Sequence, residues 1–340
     1  MGGTHTGTFS LRPADRPVPE VFRLLTSVVT PRPIALVSTV SADGTPNLAP
    51  FSFFNAFGAN PPMVGFSPSR RVRDGSTKDT YANLKATGEC VVNVVPRHLV
   101  EQVNLASAEF PPDVDEWPRS GLTPVPSDDI RPARVAESPV QMECKLFQLV
   151  PLGEGPGAGN LFLCEVVRFH VDHAVLTSFP GPDTPDAPLQ VDLDALDLVG
   201  RGGAFRYSRT AGPGPAAFTL PKPADGDVIG WDRLPAAIRE SPHYTAGDVA
   251  RLATCPALPT AADLDAFAAA HAPTPGSESD VERLLAADHP AAAFQTALHL
   301  YAANTASATA LLHRAVQAAI TAHDLGFALP AALLTARLQS

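Results

Sequence analysis

Cysteine, tryptophan and methionine are scarce in this chain of 340 residues, with four, two and three copies. The cysteines Cys90, Cys144, Cys164 and Cys255 form no CxxC pair, so neither a disulfide framework nor a zinc site is expected. Three of them fall inside apolar, strand-like runs, where a buried free thiol is the usual state. No stretch approaches the ~18 consecutive apolar residues of a membrane-spanning helix. The opening MGGTHTGTFSLRPADRP lacks the apolar core of a signal peptide, so a cytoplasmic protein with no membrane partner is expected. Positive charge is also short, with 25 Lys and Arg against 35 Asp and Glu, a net charge of −10. Nucleic-acid binding needs a basic face, and none is expected. What the chain has in quantity is apolar sequence, 45% of its residues, enough for a real core in one large domain or two.

The texture changes near residue 213. Before it, β-branched and aromatic runs alternate with turn signals. Residues 34–40 (IALVSTV) read as a strand, Asp43-Gly44 as a hairpin turn, and 48–57 (LAPFSFFNAF) as the returning strand. A helix is expected over 79–87, a strand over 90–95 and a short helix over 97–106. Long strands over 139–152 and 161–175 pair across the turn GEGPGAGN. Many short strands with interposed helices predict a closed or split barrel rather than a parallel doubly wound sheet. The stretch AGPGPAAFTLPKPADGD is a linker by composition. After it, Thr245 with Asp248, Thr260 with Asp263 and Ser277 with Asp280 repeat a helix-start pattern. Ala- and Leu-rich helices are expected over 290–303, 304–323 and 330–338. The division expected is an arm over 1–19, a barrel domain over 20–212, and a linker with helices over 213–340.

Three clusters in the first half carry chemistry. In Thr30-Pro31-Arg32-Pro33, two prolines stiffen the chain before a strand and present Arg32 to an anion at little entropic cost. A solvated arginine is the competing reading. Ser38 and Thr39, at the far end of that strand, offer hydroxyls beside a turn or are ordinary strand residues. In Asn47-Leu48-Ala49-Pro50-Phe51-Ser52-Phe53-Phe54-Asn55, alternation puts Ser52 and Phe54 on one face and Phe51, Phe53 and Asn55 on the other. One face can form the flat apolar wall that a planar ring system needs, unless both simply pack a core. Ser76-Thr77-Lys78-Asp79-Thr80 precedes a helix, whose free N–H groups attract a phosphate that Lys78 would help hold. Asp79 or Thr80 can also serve as a plain N-cap. Arg70, Arg71 and Arg73 make the preceding loop locally basic. His170 and His173 lie an odd number of positions apart on a strand and face opposite ways, so no metal pair is expected.

Read in order, TPRPIALVSTVSADGTPNLAPFSFFNAFGANPPMVGFSPS, KDTYANLKATGECVVNVV and EQVNLASAEFPPDVDEW closely resemble the flavin reductase-like group of FMN-binding split β-barrel proteins. The later LVGRGG and YSRT resemble that family's closing segment, so the likeness runs over roughly residues 20–210. It implies an α+β split barrel, here with an added C-terminal all-α region, holding FMN non-covalently near the interface of a homodimer. It also implies an FMN-dependent oxidoreductase with NAD(P)H as electron donor, hydride transfer to flavin N5 and a small-molecule acceptor. A non-enzymatic FMN-binding electron carrier or sensor is the alternative. Carried over by position, Arg32, Ser38 and Thr39 would line the flavin site from the first strand. Ala49, Pro50, Phe51, Ser52 and Phe53 would follow the ring and ribityl chain. Lys78, Asp79 and Thr80 would sit at the phosphate, while Tyr207 and Arg209 would cap the site from this subunit or its partner. The flavin carries the hard chemistry, so no acid–base side chain is expected. The helical region lies outside the likeness, and cutting the chain near 213 is expected to leave FMN binding partly intact.

Overall fold

The fold is described from a computed structural model over residues 7–108, 115–181, 184–211, 217–220 and 228–339. Helix α1 (Val18–Val28) has proline in its first turn, where the missing N–H costs nothing, and leads to the short strand β1 (Arg32–Pro33). It straddles the arm-to-barrel boundary expected at 19/20. Two hairpins follow, β2 (Ala35–Val40) with β3 (Pro46–Phe51) and β4 (Phe54–Ala59) with β5 (Pro62–Phe66). Helix α2 (Asp79–Thr87) ends on Gly88, whose φ of +73° suits glycine, and enters β6 (Glu89–Val94). Helices α3 (Val100–Leu105) and α4 (Glu116–Ser120) and the small pair β7 (Pro124–Val125) and β8 (Arg134–Val135) come next. The long hairpin of β9 (Val140–Pro151) and β10 (Asn160–Val171) precedes the pair β11 (Leu176–Ser178) and β12 (Gln190–Val191), then α5 (Leu193–Leu196). Strands β13 (Val199–Arg201), β14 (Arg206–Arg209) and β15 (Ala217–Thr219) close this half.

Seven strands form one antiparallel sheet in the order β3-β2-β6-β9-β10-β5-β4. Its two edges, β3 and β4, are consecutive in the chain but not hydrogen-bonded to each other. The barrel is therefore split, and the single strand expected over 48–57 breaks at Ser52-Phe53. The chain must turn there to leave one edge of the sheet and begin the other. Ala35, Val37, Phe51, Phe66, Val92, Cys144 and Phe162, from six strands, meet in one core, which requires the sheet to curl. The opposite side of β2 buries Ile34 and Leu36 against Val100 and Val103 of α3, together with Trp117, Val199 and Tyr207. A second sheet, β1-β13-β14-β15, pairs Arg32 with Arg201 across its first two strands. Its last strand, β15, falls inside the expected linker, so sheet pairing continues past the boundary placed at 212. The rest of that linker, 212–216 and 221–227, lies outside the described residues.

Beyond residue 228 the chain is helical: α6 (Ala236–Arg239), α7 (Ala246–Ala253), α8 (Ala261–Ala270), α9 (Glu278–Ala286), α10 (Pro290–Ala302), α11 (Ala308–Thr321) and α12 (Leu325–Gln339). Reciprocal capping boxes form at Thr245/Asp248, Thr260/Asp263 and Ser277/Asp280, as the spacing predicts. The last helix starts at Leu325 rather than 330 and contains Pro330. Phe294, Leu312, Ile320 and Phe327 centre the helical core, which also takes in Leu105 and Ala108 from the barrel half. Glu101 of α3, 5% exposed, is shared by Arg97 and by Arg251 of α7, each at 2.9 Å. All four cysteines are buried and free.

The tightest seam between the halves is Gly121. Its φ is +68°, and an added Cβ would stand 2.2 Å from the Trp231 ring. Gly121→Ala therefore adds left-handed strain to a steric clash, together about 2–5 kcal/mol. A fall in Tm of several degrees is expected by calorimetry. An unchanged Tm would mean that the Trp231 ring is free to move aside.

Candidate cofactor site

Where α1, β1, the end of β3, α3 and the β13–β14 turn converge, the fold leaves a cavity of about 360 Å³. Phe22, Ile34, Pro50, Phe51, Val103 and Tyr207 give it apolar walls, and Ser52, Asn104 and Ser107 add polar atoms. A smaller cavity of about 60 Å³ lies beside it, lined by Asn47, Ala49, Arg71, Asp79, Thr80 and Glu116. Pro50, Lys78 and Ser107 line both, so the two form one groove. Helix α2 begins at the smaller end, with Lys78 as its N-cap residue and Asp79 in its first turn.

The expected residues divide clearly. Arg32, Pro50, Phe51, Ser52, Lys78 and Tyr207 line the larger cavity, and Ala49, Asp79 and Thr80 line the smaller. Ser38, Thr39, Phe53 and Arg209 line neither. Ser38 is buried on the barrel wall and donates to the Ala133 carbonyl. Thr39 sits behind the groove, accepting from Asn83 at 3.1 Å and Asn47 at 3.4 Å, while Asn47 also donates to Thr80 at 3.0 Å. Phe53 stands edge-on to Phe22, with ring centroids 6.2 Å apart, and so backs a wall rather than forming one. Arg209 is paired with Asp197, with Nε to Oδ1 at 2.9 Å, and does not line the cavity of its own subunit.

Arg32 is at the site in a different role from the one its sequence suggests. It is 6% exposed and donates to the Thr26, Val29 and Gly202 carbonyls at 2.6, 2.7 and 3.2 Å. The last carbonyls of a helix lack internal partners, and a guanidinium at the end of α1 satisfies them. Arg32 thus ties α1 to the β13–β14 turn and shapes the cavity wall. Burial, and secondarily Arg201 nearby, lower its pKa from the usual arginine value.

Several lining residues escaped the sequence reading. Phe22, Arg23 and Thr26 come from α1, which has no strong start signal in the sequence. Val103, Asn104 and Ser107 come from α3 and the turn after it, at a spacing that places them on one helical face. Glu116 accepts a hydrogen bond from the Leu48 N–H at 3.2 Å. Burial pushes its carboxyl up to about 7, helped by Asp79 and Asp115 and opposed by backbone N–H groups.

The residues present fit a flavin mononucleotide. The lining of the larger cavity is mostly apolar with a few hydroxyl and amide groups, as a planar ring requires. The smaller offers Lys78, Arg71, the Thr80 hydroxyl and a helix start, as a phosphate requires. The Arg71 Nε is buried there with no hydrogen-bond partner, an orphan donor that an anion would satisfy.

Away from the groove, the donor atoms of Asp128, Glu143 and His170 lie within 4.8 Å of one another. His170 Nε2 is 2.7 Å from Glu143, and the Asp128 and Asp129 amides donate to Glu143 at 2.8 and 2.7 Å. This network, centred on buried Glu143, pins the loop between β7 and β8 onto the long hairpin.

The model of the flavin reductase like domain matches residues 27–182. The chain is 43% identical over 154 residues to an uncharacterised protein of Halalkalibacterium halodurans, spanning 45% of this chain and 73% of that one. It is 35% identical over 192 residues to an uncharacterised protein of Aquifex aeolicus, spanning 56% and 91%. Among solved structures it is similar to nitrilotriacetate monooxygenase component B from Bacillus cereus, with a TM-score of 0.54. There the identity is 30%, over 62% of this chain and 100% of that one. It is also similar to a 2-nitrobenzoate 2-nitroreductase of Pseudomonas fluorescens, at 26% identity, 63% and 96% coverage and a TM-score of 0.51. No helix among the described residues is long and apolar enough to cross a membrane. The family-model match over residues 27–182, with 35% identity across nine-tenths of one relative and 30% across the whole of a solved structure, places this chain in the flavin reductase-like family.

Proposed function

We propose that the protein binds FMN and acts as an oxidoreductase, taking electrons from NAD(P)H and passing them to flavin or another small acceptor. The observation that carries this reading is the groove itself, a largely apolar cavity continuous with a small pocket where Lys78 and Arg71 meet the start of α2. Bound flavin would supply the redox chemistry, accepting hydride at N5. The protein's part is to bind and orient. Pro50, Phe51 and Tyr207 hold the ring, Ser52 and Asn104 offer hydrogen bonds to its edge, and Lys78, Arg71 and Thr80 take the phosphate. Both solved relatives are named for redox enzymes of small molecules, which supports the reading. A homodimer with no nucleic-acid or membrane partner belongs to the proposal, supported by Phe57, Phe147 and Phe169, which leave apolar surface on the barrel strands.

Purified protein is expected to be yellow, to release FMN on denaturation, and to consume NADH or NADPH when flavin is present. A colourless protein that ignores added FMN would end the proposal. Flavin binding without pyridine-nucleotide turnover would favour an electron carrier.

Glu116 makes FMN affinity depend on pH. Its carboxyl is raised to about 7, so it is largely neutral at pH 6 and anionic at pH 8. An anion in the phosphate pocket repels the ligand, so FMN should bind more weakly as pH rises, by about tenfold between these values. Fluorescence titrations should show this slope in the wild type and its loss in Glu116→Gln. Equal slopes in both proteins would remove Glu116 from the phosphate environment.

A further inference from the structure

The groove holds more positive charge than one phosphate needs. In a protein of net charge −10, the larger cavity is lined by Arg23, Arg32, Lys78 and Arg201 and, among the described residues, by no aspartate or glutamate. Arg32 is occupied with carbonyls, and Lys78 belongs equally to the phosphate pocket. Arg23 and Arg201 line the larger cavity alone, from α1 and β13. Strand pairing sets Arg201 directly opposite Arg32, and Arg201 helps to lower the Arg32 pKa. The Arg201 guanidinium lies 4.4 Å from the centre of the Tyr207 ring and donates to the Ala204 carbonyl at 2.9 Å. Like charges so close, with no carboxylate lining the cavity among the described residues, give this end of the cavity a positive potential that suits an anion.

We propose that Arg201, with Arg23, forms a second anion subsite for a reaction partner that combines a planar ring with a carboxylate or phosphate. The proposal rests on the flavin reading of the same cavity. FMN's own phosphate is accounted for at the other end by Lys78, Arg71, Thr80 and the start of α2. A guanidinium presents a planar fork that matches a carboxylate or phosphate through two parallel hydrogen bonds. Phe22, which lines the same cavity and is not assigned to the flavin, favours a ring as the rest of the ligand. Two sources share this chemistry, an aromatic carboxylate as electron acceptor and the nicotinamide-side phosphate of the electron donor.

The FMN-loaded protein would be titrated with benzoate against benzamide and with nicotinamide mononucleotide against nicotinamide riboside, following flavin absorbance. In at least one pair the anionic member is expected to bind about tenfold tighter. The pair that shows this preference identifies the source. Arg201→Gln should abolish the preference, and Arg23→Gln, a change to an exposed side chain that the fold tolerates, should reduce it. The ratio of FMN to riboflavin affinity should be unchanged in Arg201→Gln. A collapse of that ratio would assign Arg201 to FMN's phosphate and overturn the subsite, as would equal binding within both pairs. A preference that survives both substitutions would also overturn it. Wild-type protein that binds no FMN would fail at the earlier step, the flavin reading itself.

Discussion

A chain ended after Leu220 is expected to collect in the insoluble fraction, and whatever stays soluble should bind FMN poorly. The helical half does more than sit beside the barrel, because α3 serves both. On one side α3 and its following turn put Leu105 and Ala108 into the helical core. On the other, Val103, Asn104 and Ser107 line the flavin groove. Glu101 would lose Arg251, and Gly121 would lose the Trp231 ring packed on it. Each large apolar side chain returned to water costs about 1.5–3 kcal/mol, and the exposed patch would invite association. Sequence texture alone suggests the milder outcome, with FMN binding partly intact, since the motifs end near residue 210. Soluble yield and FMN affinity of the shortened chain decide between the two. A soluble product with full affinity would show that α3 holds its place without the helices.

Lys78→Ala is expected to weaken FMN about 10–100-fold while leaving riboflavin, which lacks the phosphate, unchanged. Lys78 lines both parts of the groove at the start of α2, and its ammonium also lies 5.7 Å from the centre of the Phe51 ring. The comparison of the two flavins separates these roles. Equal losses for both would place Lys78 under the ring rather than at the phosphate.

Much of the local structure is legible in the sequence itself. The three capping boxes follow from hydroxyl and carboxylate spacing, because both partners lie within one turn. Helix α2 was readable over Asp79–Thr87, since its start residues and Gly88 sit beside it in the chain. The strip Ala49 to Ser52 follows from the family likeness alone, because four consecutive residues lining one groove run against strand alternation. Short-range periodicity and short-range hydrogen bonds are the physics that a linear reading captures.

What remained hidden depends on partners distant in sequence. Arg32 was expected to face an anion, but Gly202, 170 positions away, takes one of its hydrogen bonds. Arg209 reads as a cap in the sequence, and the fold pairs it with Asp197 outside its own subunit's cavity. Ser38 turned to the Ala133 carbonyl, which no motif announces. Glu116 and Arg201 became site residues only when β3 met α4 and β1 met β13. By itself the sequence determined the strand-rich half and the helical half, the capping boxes, the family likeness and part of the groove's lining. Only the tertiary structure decided which charges are spent on carbonyls and carboxylates and which still face the groove, because a charge is committed by whatever surrounds it.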